Sequence, residues 1–199
     1  MDRRGRIGWY SRGYLPHFDG GAISQFITFR LADSLPKGLI EGWTLELACL
    51  GEQEAKDKLR RRIEGYLDQG HGKAWLRDAR IARIVEDALL YFDGQRYRMH
   101  AWVVTPNHVH VLATPVEGWY LRVIIGGWKS FSARQANAVS GRKGKFWQED
   151  YFDRYIRDGD HFARARRYIE GNPVKAGLCA KPEEWEFGSA RRRAGNREA

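Results

Sequence analysis

Two histidines separated by one residue stand in an apolar, β-branched stretch of the chain. His108 and His110 flank Val109 in the segment TPNHVHVLATP, residues 105–115. Because side chains alternate between the two faces of a strand, both imidazoles would lie on one face and Val109 on the other. Two neutral imidazoles placed in this way can bind one metal ion. The spacing also suits a solvent-facing pair or two hydrogen-bonded histidines, so other residues must decide between these interpretations.

A tyrosine in a basic segment is the second candidate for chemistry. Tyr168 lies four residues after Arg164 and four before Asn172, so a helix would place all three on one face. Arg167 is its neighbour in sequence. A phenol with a pKa of about 10 is a poor nucleophile at neutral pH unless cations or a metal activate it. Its phenolate would attack a phosphodiester to form a phosphotyrosine, which conserves the bond energy for rejoining.

The choice of this tyrosine has alternatives. The chain contains nine tyrosines, and Tyr168 would also fit as a structural residue that packs on the side of its helix. Tyr151 and Tyr155, in the segment DYFDRYIRD, are rival nucleophiles.

Hydrophobic periodicity predicts the elements that must position these residues. Alternation of apolar and polar residues predicts strands over 22–33, 97–106 and 107–116. Helical spacing predicts helices over 52–69, over 78–94, over about 119–138 and around Tyr168. The short joint at Pro106-Asn107 predicts an antiparallel hairpin, with the histidine strand inside the sheet. The fold class is therefore α+β, with a single antiparallel sheet flanked by helices, similar to ferredoxin-like folds.

Composition sets the class of protein. With 199 residues, 43% of them hydrophobic, we expect one domain over 1–188 and a basic, disordered tail over 189–199. The formal net charge of +9 favours an anionic partner such as nucleic acid. Two cysteines cannot form a disulfide framework or a cysteine zinc site. No apolar run approaches the roughly 18 residues of a membrane span, so we expect a cytoplasmic protein without a membrane partner.

Two segments carry a resemblance to a known family. WVVTPNHVHVLATP, followed by FWQEDYFDRYIRDGDHFARARRYIEGNPVKAGL, resembles the REP-associated tyrosine transposases, which are relatives of the single-tyrosine transposases of bacterial insertion sequences. RGYLPHFDGGAISQFITFRLADSLP is similar to the start of one branch of that family, so the likeness covers roughly residues 12–193. The histidine pair and YIEGNPVKAGL are specific in combination.

The resemblance implies a site and a partner. His108 and His110 would be the histidines of the HUH motif in an HUH nuclease fold, Tyr168 the nucleophile, and Asn172 the third metal ligand. The ion would be Mg²⁺ or Mn²⁺. The partner would be single-stranded DNA with a hairpin from a palindromic REP repeat, in the bacterial cytoplasm at the nucleoid. The protein would act as a monomer or as a homodimer that exchanges the tyrosine helix. Since Asn172 precedes Pro173, the helix would alternatively end there and leave Asn172 as a cap.

Three functions follow as hypotheses. The first is a strand transferase that cleaves single-stranded DNA beside a hairpin and rejoins it through a 5′-phosphotyrosine. Its phosphate contacts would come from a basic surface that comprises Lys129, Arg134, Arg154, Arg157, Arg164 and Lys175. Unstacked bases would rest on aromatics such as Trp128 or Trp147, unless these fill the core. The second is a non-cleaving binding module for structured DNA or RNA, and the third is a small metallohydrolase that uses water as the nucleophile.

Overall fold

The structure is a computed structural model that describes residues 8–11 and 16–195. Its strands are β1 (Gly8–Ser11), β2 (Pro16–Asp19), β3 (Gln25–Arg30), β4 (Tyr97–Val104), β5 (His108–Pro115) and β6 (Phe152–Tyr155). Its α-helices are α1 (Lys37–Leu47), α2 (Glu52–Asp68), α3 (Ala79–Leu90), α4 (Leu121–Val139), α5 (Gly159–Lys175) and α6 (Ser189–Gly195). Short 3-10 turns lie at Trp75–Arg77 and Pro182–Glu184. Within the described ranges, no helix combines the length and the apolar character that crossing a bilayer requires.

The main sheet is antiparallel, with strand order β4-β5-β3-β6. Strand β5, which carries the histidines, is paired on both sides: His110 lies opposite Thr28 of β3 and opposite Val103 of β4. The α+β class, the β4–β5 hairpin and the inner position of the histidine strand are therefore confirmed. The expected single sheet is joined by a second, two-stranded sheet of β1 and β2.

Each face of the main sheet has its own apolar core. Val109 and Val111 of β5 point to the face that α3 and α4 cover, where Trp128 is also buried. The opposite face packs Phe26 and Leu112 against Ala165 and Ile169 of α5. The histidines alternate with these valines along β5, so they share the opposite face, which α5 covers. Helix α5 therefore lies on the side of the sheet where the imidazoles point.

Several features differ from the predicted pattern. The β1–β2 hairpin, α1 and the short edge strand β6 have no counterpart in the predicted set of elements. Trp128 and Trp147 are each 4% exposed, and their indole nitrogens donate to Tyr97 and Ser132, so they fill the core and offer no surface for a base.

The expected disordered tail is helical over Ser189–Gly195. Ser189 is buried, and its hydroxyl accepts from Trp102 N and donates to Glu170. Arg193 forms an ion pair with the same Glu170. These polar contacts hold α6 against β4 and α5 without the apolar anchor that the sequence lacks. The last four residues, 196–199, lie outside the described part of the chain.

A buried histidine fastens the small sheet to the edge of the main one. His17 of β2 is fully buried, and its two ring nitrogens pair with Asp150, at 2.7 Å, and Asp153. Asp153 also accepts from Phe18 N, and Asp19 accepts from Leu121 N at the start of α4. Although burial opposes the charge, hydrogen bonds and charge interactions with the two carboxylates raise the pKa of His17 to about 9.

We predict that His17→Gln lowers stability more at pH 6 than at pH 9. The pKa of His17 in the folded protein, about 9, exceeds the ordinary histidine value of 6.5. Its stabilisation is therefore complete below pH 6.5 and is lost as the pH rises to 9. The difference is on the order of 3 kcal/mol. Chemical denaturation of both proteins at the two pH values measures it, and an equal loss at both would contradict a charged His17.

Candidate functional site

The paired histidines are buried on the central strand and point to one place. His108 and His110 are each 1% exposed, and their Nε2 atoms lie 3.0 Å apart. Two ligands that occupy adjacent positions around an octahedral ion at about 2.1 Å are themselves about 3.0 Å apart. The observed separation suits such a pair. Without an ion, the same distance is a hydrogen bond between the rings, which is one of the alternatives that the sequence left open.

The surrounding hydrogen bonds leave the His108 lone pair facing the other ring. The Asn107 amide nitrogen donates to His71 O, so its oxygen, 2.7 Å from His108 Nδ1, must accept from that nitrogen. A neutral His108 therefore carries its proton on Nδ1 and its lone pair on Nε2. Thr28 Oγ1 lies 2.7 Å from His110 Nδ1, and a hydroxyl can either donate or accept there. His110 can thus present a lone pair at Nε2 while Thr28 accepts from Nδ1.

Burial keeps both rings neutral. It lowers the pKa of His108 to about 4, against an opposing effect of Asp68. Burial, reinforced by His108 and Lys175, also lowers the pKa of His110 well below 6.5. A histidine binds a metal through its neutral form, so at neutral pH both rings are ready to act as ligands.

Helix α5 brings Tyr168 against the histidines of the same chain. The ring centroids of Tyr168 and His110 are 5.4 Å apart, in an edge-to-face arrangement. Phe26 of β3 packs against both rings, with centroid distances of 5.6 Å to His110 and 5.8 Å to Tyr168. The phenol and the imidazole pair therefore form one cluster without a second subunit.

The charges that act on Tyr168 differ from those that the sequence suggested. Burial raises its pKa, the carboxylates of Glu64 and Asp68 in α2 raise it further, and Arg60 of α2 opposes them. The expected activation by Arg164 and Arg167 of its own helix is not among the principal effects. At rest the phenol is therefore protonated.

Asn172 lies one helical turn after Tyr168 and is 1% exposed. Its amide nitrogen donates to Asp68 Oδ1 at 3.0 Å, while its buried oxygen has no hydrogen-bond partner. Helix α5 continues through Pro173 to Lys175, so Asn172 is not at a helix end and does not cap the next turn. A buried amide oxygen without a donor is suited to a hard cation such as Mg²⁺ or Mn²⁺.

The donor set for an ion is therefore mixed. Among the described residues, no group of three or more His, Cys, Asp or Glu side chains has the arrangement of a metal site. Two imidazole nitrogens and one amide oxygen remain as the predicted ligands, and they fit an ion that completes its shell with water or substrate oxygens.

Helix α2 contributes two acidic residues to the site that the sequence pattern did not reveal. Glu64 and Asp68 are one turn apart and come close to Tyr168 and Asn172. Burial raises the pKa of Glu64 against the opposing charges of Arg60 and Lys175. Their sequence signal is an acidic pair at helical spacing beside the buried Leu67 of α2, but a helix pattern does not say which other element it meets.

A basic cleft of about 360 Å³ opens beside Tyr168. Arg154, Arg157 and Arg164, three of the predicted DNA contacts, line it together with Arg60. Burial, and then the charges of Arg60 and Arg157, lower the pKa of Arg154, and an anion in the cleft would offset these effects.

The other predicted contacts lie elsewhere. Lys129 and Arg134 are on α4, which covers the opposite face of the sheet, and Lys129 Nζ donates to Glu149 O at 2.6 Å. Lys175 lies inside the site, where its Nζ is 2.7 Å from Asp68 Oδ2. Only part of the predicted basic surface therefore forms one patch.

The rival tyrosines are also remote from the histidines. The Tyr151 hydroxyl is 2.7 Å from that of Tyr10, and its ring stacks on His17. Tyr155 packs against Phe18 of the small sheet.

The four residues that the sequence predicted for the nucleophile and the metal ligands lie within a match to a known family. Residues 78–172, which include both histidines, Tyr168 and Asn172, match the family described as Transposase IS200 like. A REP-associated tyrosine transposase of Escherichia coli (strain K12) is 29% identical over 96 residues, which cover 48% of this chain and 56% of that protein. The match thus spans little more than half of that relative's length. The predicted resemblance is confirmed.

The fold is also shared with a solved structure. A REP-associated tyrosine transposase bound to a REP hairpin matches with a TM-score of 0.55 and 20% identity, over 94% of this chain and 84% of the other. At this identity the likeness shows the fold, and it confirms the predicted fold class.

We predict that Thr28→Val destabilises the protein by roughly 1–3 kcal/mol, because it leaves the buried His110 Nδ1 without its partner. Valine keeps the shape and the β-branch of threonine. Urea denaturation measures the loss. Thr44→Val, on the exposed side of α1, is the matched control and should change stability by less than about 0.5 kcal/mol. Equal effects of the two substitutions would contradict a structural role for the Thr28 hydroxyl.

Proposed function

We propose, from the match of residues 78–172 to the IS200-like transposase family, that this chain is a metal-dependent DNA strand transferase. It cleaves and rejoins single-stranded DNA next to a REP-type hairpin through a 5′-phosphotyrosine intermediate. The observation that carries the proposal is the contact between Tyr168 and His110 within one chain. A nucleophile and an ion site that meet in this way can act on the same phosphodiester.

The proposed ion is Mg²⁺ or Mn²⁺, held by His108, His110 and Asn172. When bound, it would polarise a non-bridging oxygen and neutralise the charge that develops on the phosphoryl group. The chain keeps the imidazoles neutral by burial and orients them through Asn107 and Thr28.

The proposed reaction transfers one phosphoryl group. The Tyr168 oxygen bonds to phosphorus, and the bond from phosphorus to the 3′ oxygen breaks, which leaves a 3′ hydroxyl. The phenol proton moves to Glu64, whose raised pKa makes it a better acceptor than an ordinary carboxylate. The same proton then passes from Glu64 through water to the departing 3′ oxygen, so that no net proton is gained or lost. A 3′ hydroxyl that attacks the phosphotyrosine reverses these steps and rejoins a strand.

The cleft beside Tyr168 is the proposed path of the DNA strand. Arg154, Arg157 and Arg164 would bind successive phosphates as the strand approaches the phenol.

The hairpin partner is proposed by analogy with the similar solved protein, which is bound to one. Because Tyr168 reaches the histidines of its own chain, a monomer has all the groups that the reaction needs, and no exchange of the tyrosine helix is required.

A second candidate is a non-cleaving module that binds structured DNA or RNA. The buried hydroxyl and raised pKa of Tyr168 favour it, because a phenol in this state is a weak nucleophile. It would use the same basic cleft, and neither the ion nor the phenol would affect binding.

We predict that the protein forms a denaturation-resistant adduct with labelled single-stranded hairpin DNA in Mg²⁺ or Mn²⁺. The adduct should disappear in EDTA and in Tyr168→Phe, because both the ion and the phenol are needed. Gel electrophoresis under denaturing conditions detects it. Tyr155→Phe is the matched control and should retain the adduct, since Tyr155 packs against Phe18 away from the histidines.

Two results would contradict the transferase. Hairpin binding without an adduct, unaffected by chelation or by Tyr168→Phe, would establish the binding module. Cleavage without an adduct would indicate a metallohydrolase with water as its nucleophile.

We predict that Arg157→Gln and Arg164→Gln each weaken single-stranded DNA binding, because each removes a cation from the cleft. The magnitude of the salt dependence should fall by about 0.7 for each phosphate that the variant no longer neutralises. Arg134→Gln, on the exposed surface of α4, is the control and should change neither quantity. Fluorescence anisotropy at several salt concentrations measures both. If Arg134→Gln had the larger effect, the strand would follow the α4 face instead of the cleft.

A further inference from the structure

The carboxylate at the end of α2 lies where a further ligand of the proposed ion would be. Asp68 Oδ1 is 3.9 Å from His108 Nε2 and accepts from the Asn172 amide at 3.0 Å. Two atoms that bind one ion at about 2.1 Å cannot be farther apart than about 4.2 Å. The distance between Asp68 and His108 is within that limit. Among the described residues, Asp68 and the two histidines do not have the arrangement of a complete metal site, and Asp68 is paired with Lys175. The carboxylate would therefore turn from Lys175 towards the imidazoles when an ion binds.

The position of Asp68 does not depend on its ion pair alone. Leu67, its neighbour in α2, is 2% exposed, and the backbone turns directly after it at Gly70, with φ of +72°. The segment that follows is tied to the start of β5, because the Asn107 amide donates to His71 O at 3.0 Å. The end of α2 is thus held beside the histidine strand by packing and by a hydrogen bond to its backbone.

The charges of the other donors show what an ion would lack. Histidine binds a metal in its neutral form and Asn172 is an amide, so these three groups leave a buried divalent cation without any compensating charge. Asp68 supplies a negative charge at this point. In the structure that charge is paired with Lys175, whose Nζ lies 2.7 Å from Asp68 Oδ2.

We propose that Asp68 is a ligand of the divalent ion, together with His108, His110 and Asn172, and that the ion displaces Lys175 from it. This assignment rests on the proposed function for the existence of the ion site. Before the ion binds, Lys175 supplies the positive charge that pairs with Asp68. The released ammonium group stays near Tyr168, whose ring centroid is 5.5 Å from Lys175 Nζ, where it can bind a phosphate.

The two partners of the ion pair allow a test with opposite signs. Asp68→Asn removes a ligand and should weaken Mn²⁺ binding by about tenfold or more. Lys175→Met removes the competing cation and should strengthen Mn²⁺ binding. Charge alone would also give these opposite shifts. Asp68→Glu separates the two roles, because it keeps the charge and moves the carboxylate by one methylene. If Asp68 is a ligand, Asp68→Glu also weakens Mn²⁺ binding, whereas a purely electrostatic Asp68 leaves the affinity unchanged.

The experiment titrates the full chain with Mn²⁺ alone, without DNA, and follows free Mn²⁺ by electron paramagnetic resonance. The controls are Glu52→Gln and Lys56→Met. They change an exposed ion pair at the other end of α2, in which Lys56 Nζ lies 2.5 Å from Glu52 Oε1, and they should leave the Mn²⁺ affinity unchanged. Opposite shifts in Asp68→Asn and Lys175→Met, with weaker binding in Asp68→Glu, support the assignment. An unchanged affinity in Asp68→Asn or in Asp68→Glu, or a loss in both Asp68→Asn and Lys175→Met, overturns it.

The remaining outcomes are also decisive. If Asp68→Asn does not fold, Asp68→Glu and Lys175→Met decide: weaker binding in Asp68→Glu with tighter binding in Lys175→Met supports the assignment, and any other result overturns it. If the wild-type chain binds no Mn²⁺, the ion site and this assignment fall together. Absence of the DNA adduct despite the expected Mn²⁺ shifts would defeat only the strand transferase.

Discussion

The pairing of β5 with a strand on each side is the constraint on which the site depends. Hydrogen bonds to β3 and β4 fix the register of β5, so Val109 and Val111 enter one core while His108 and His110 face α5. A slip of one residue would turn the valines out of that core and bury the histidines among apolar side chains. Because moving the valines out of that core is unfavourable, the same register also fixes the positions of the imidazoles.

The site that this strand supports is closed by helices from distant parts of the chain. Helix α5 brings Tyr168 and Asn172, and α2 brings Glu64 and Asp68 to the same groups. Burying so many polar groups costs stability unless each is paired. Lys175 pairs with Asp68, and Arg60 lies 3.7 Å from Glu64, so the acidic groups are largely balanced at rest. Among the described residues, the amide oxygen of Asn172 is a buried acceptor of the site without a hydrogen-bond donor, and it is therefore available to an ion.

The sequence predicted the parts of this arrangement that depend on local periodicity. Alternation identified β3, β4 and β5 and the shared face of the histidines, and the spacing of four identified the face common to Tyr168 and Asn172. Periodicity did not identify β6, because its four residues are too few to show a clear period. It also did not identify the carboxylates that α2 brings to the site. Asp68 meets Asn172 across 104 positions, and such a contact leaves no local pattern. The sequence also could not place Lys129 relative to the histidines, because an amphipathic helix shows which of its sides is buried but not which face of the sheet it covers.

We propose that one chain assembles both the ion site and its nucleophile. A crystal structure of the protein with Mn²⁺, with anomalous scattering measured at the manganese edge, would show where the ion binds. We expect one peak about 2.1–2.3 Å from Nε2 of both His108 and His110, beside Tyr168 of the same chain. A peak elsewhere, no peak at saturating Mn²⁺, or a Tyr168 supplied by a second subunit would contradict it.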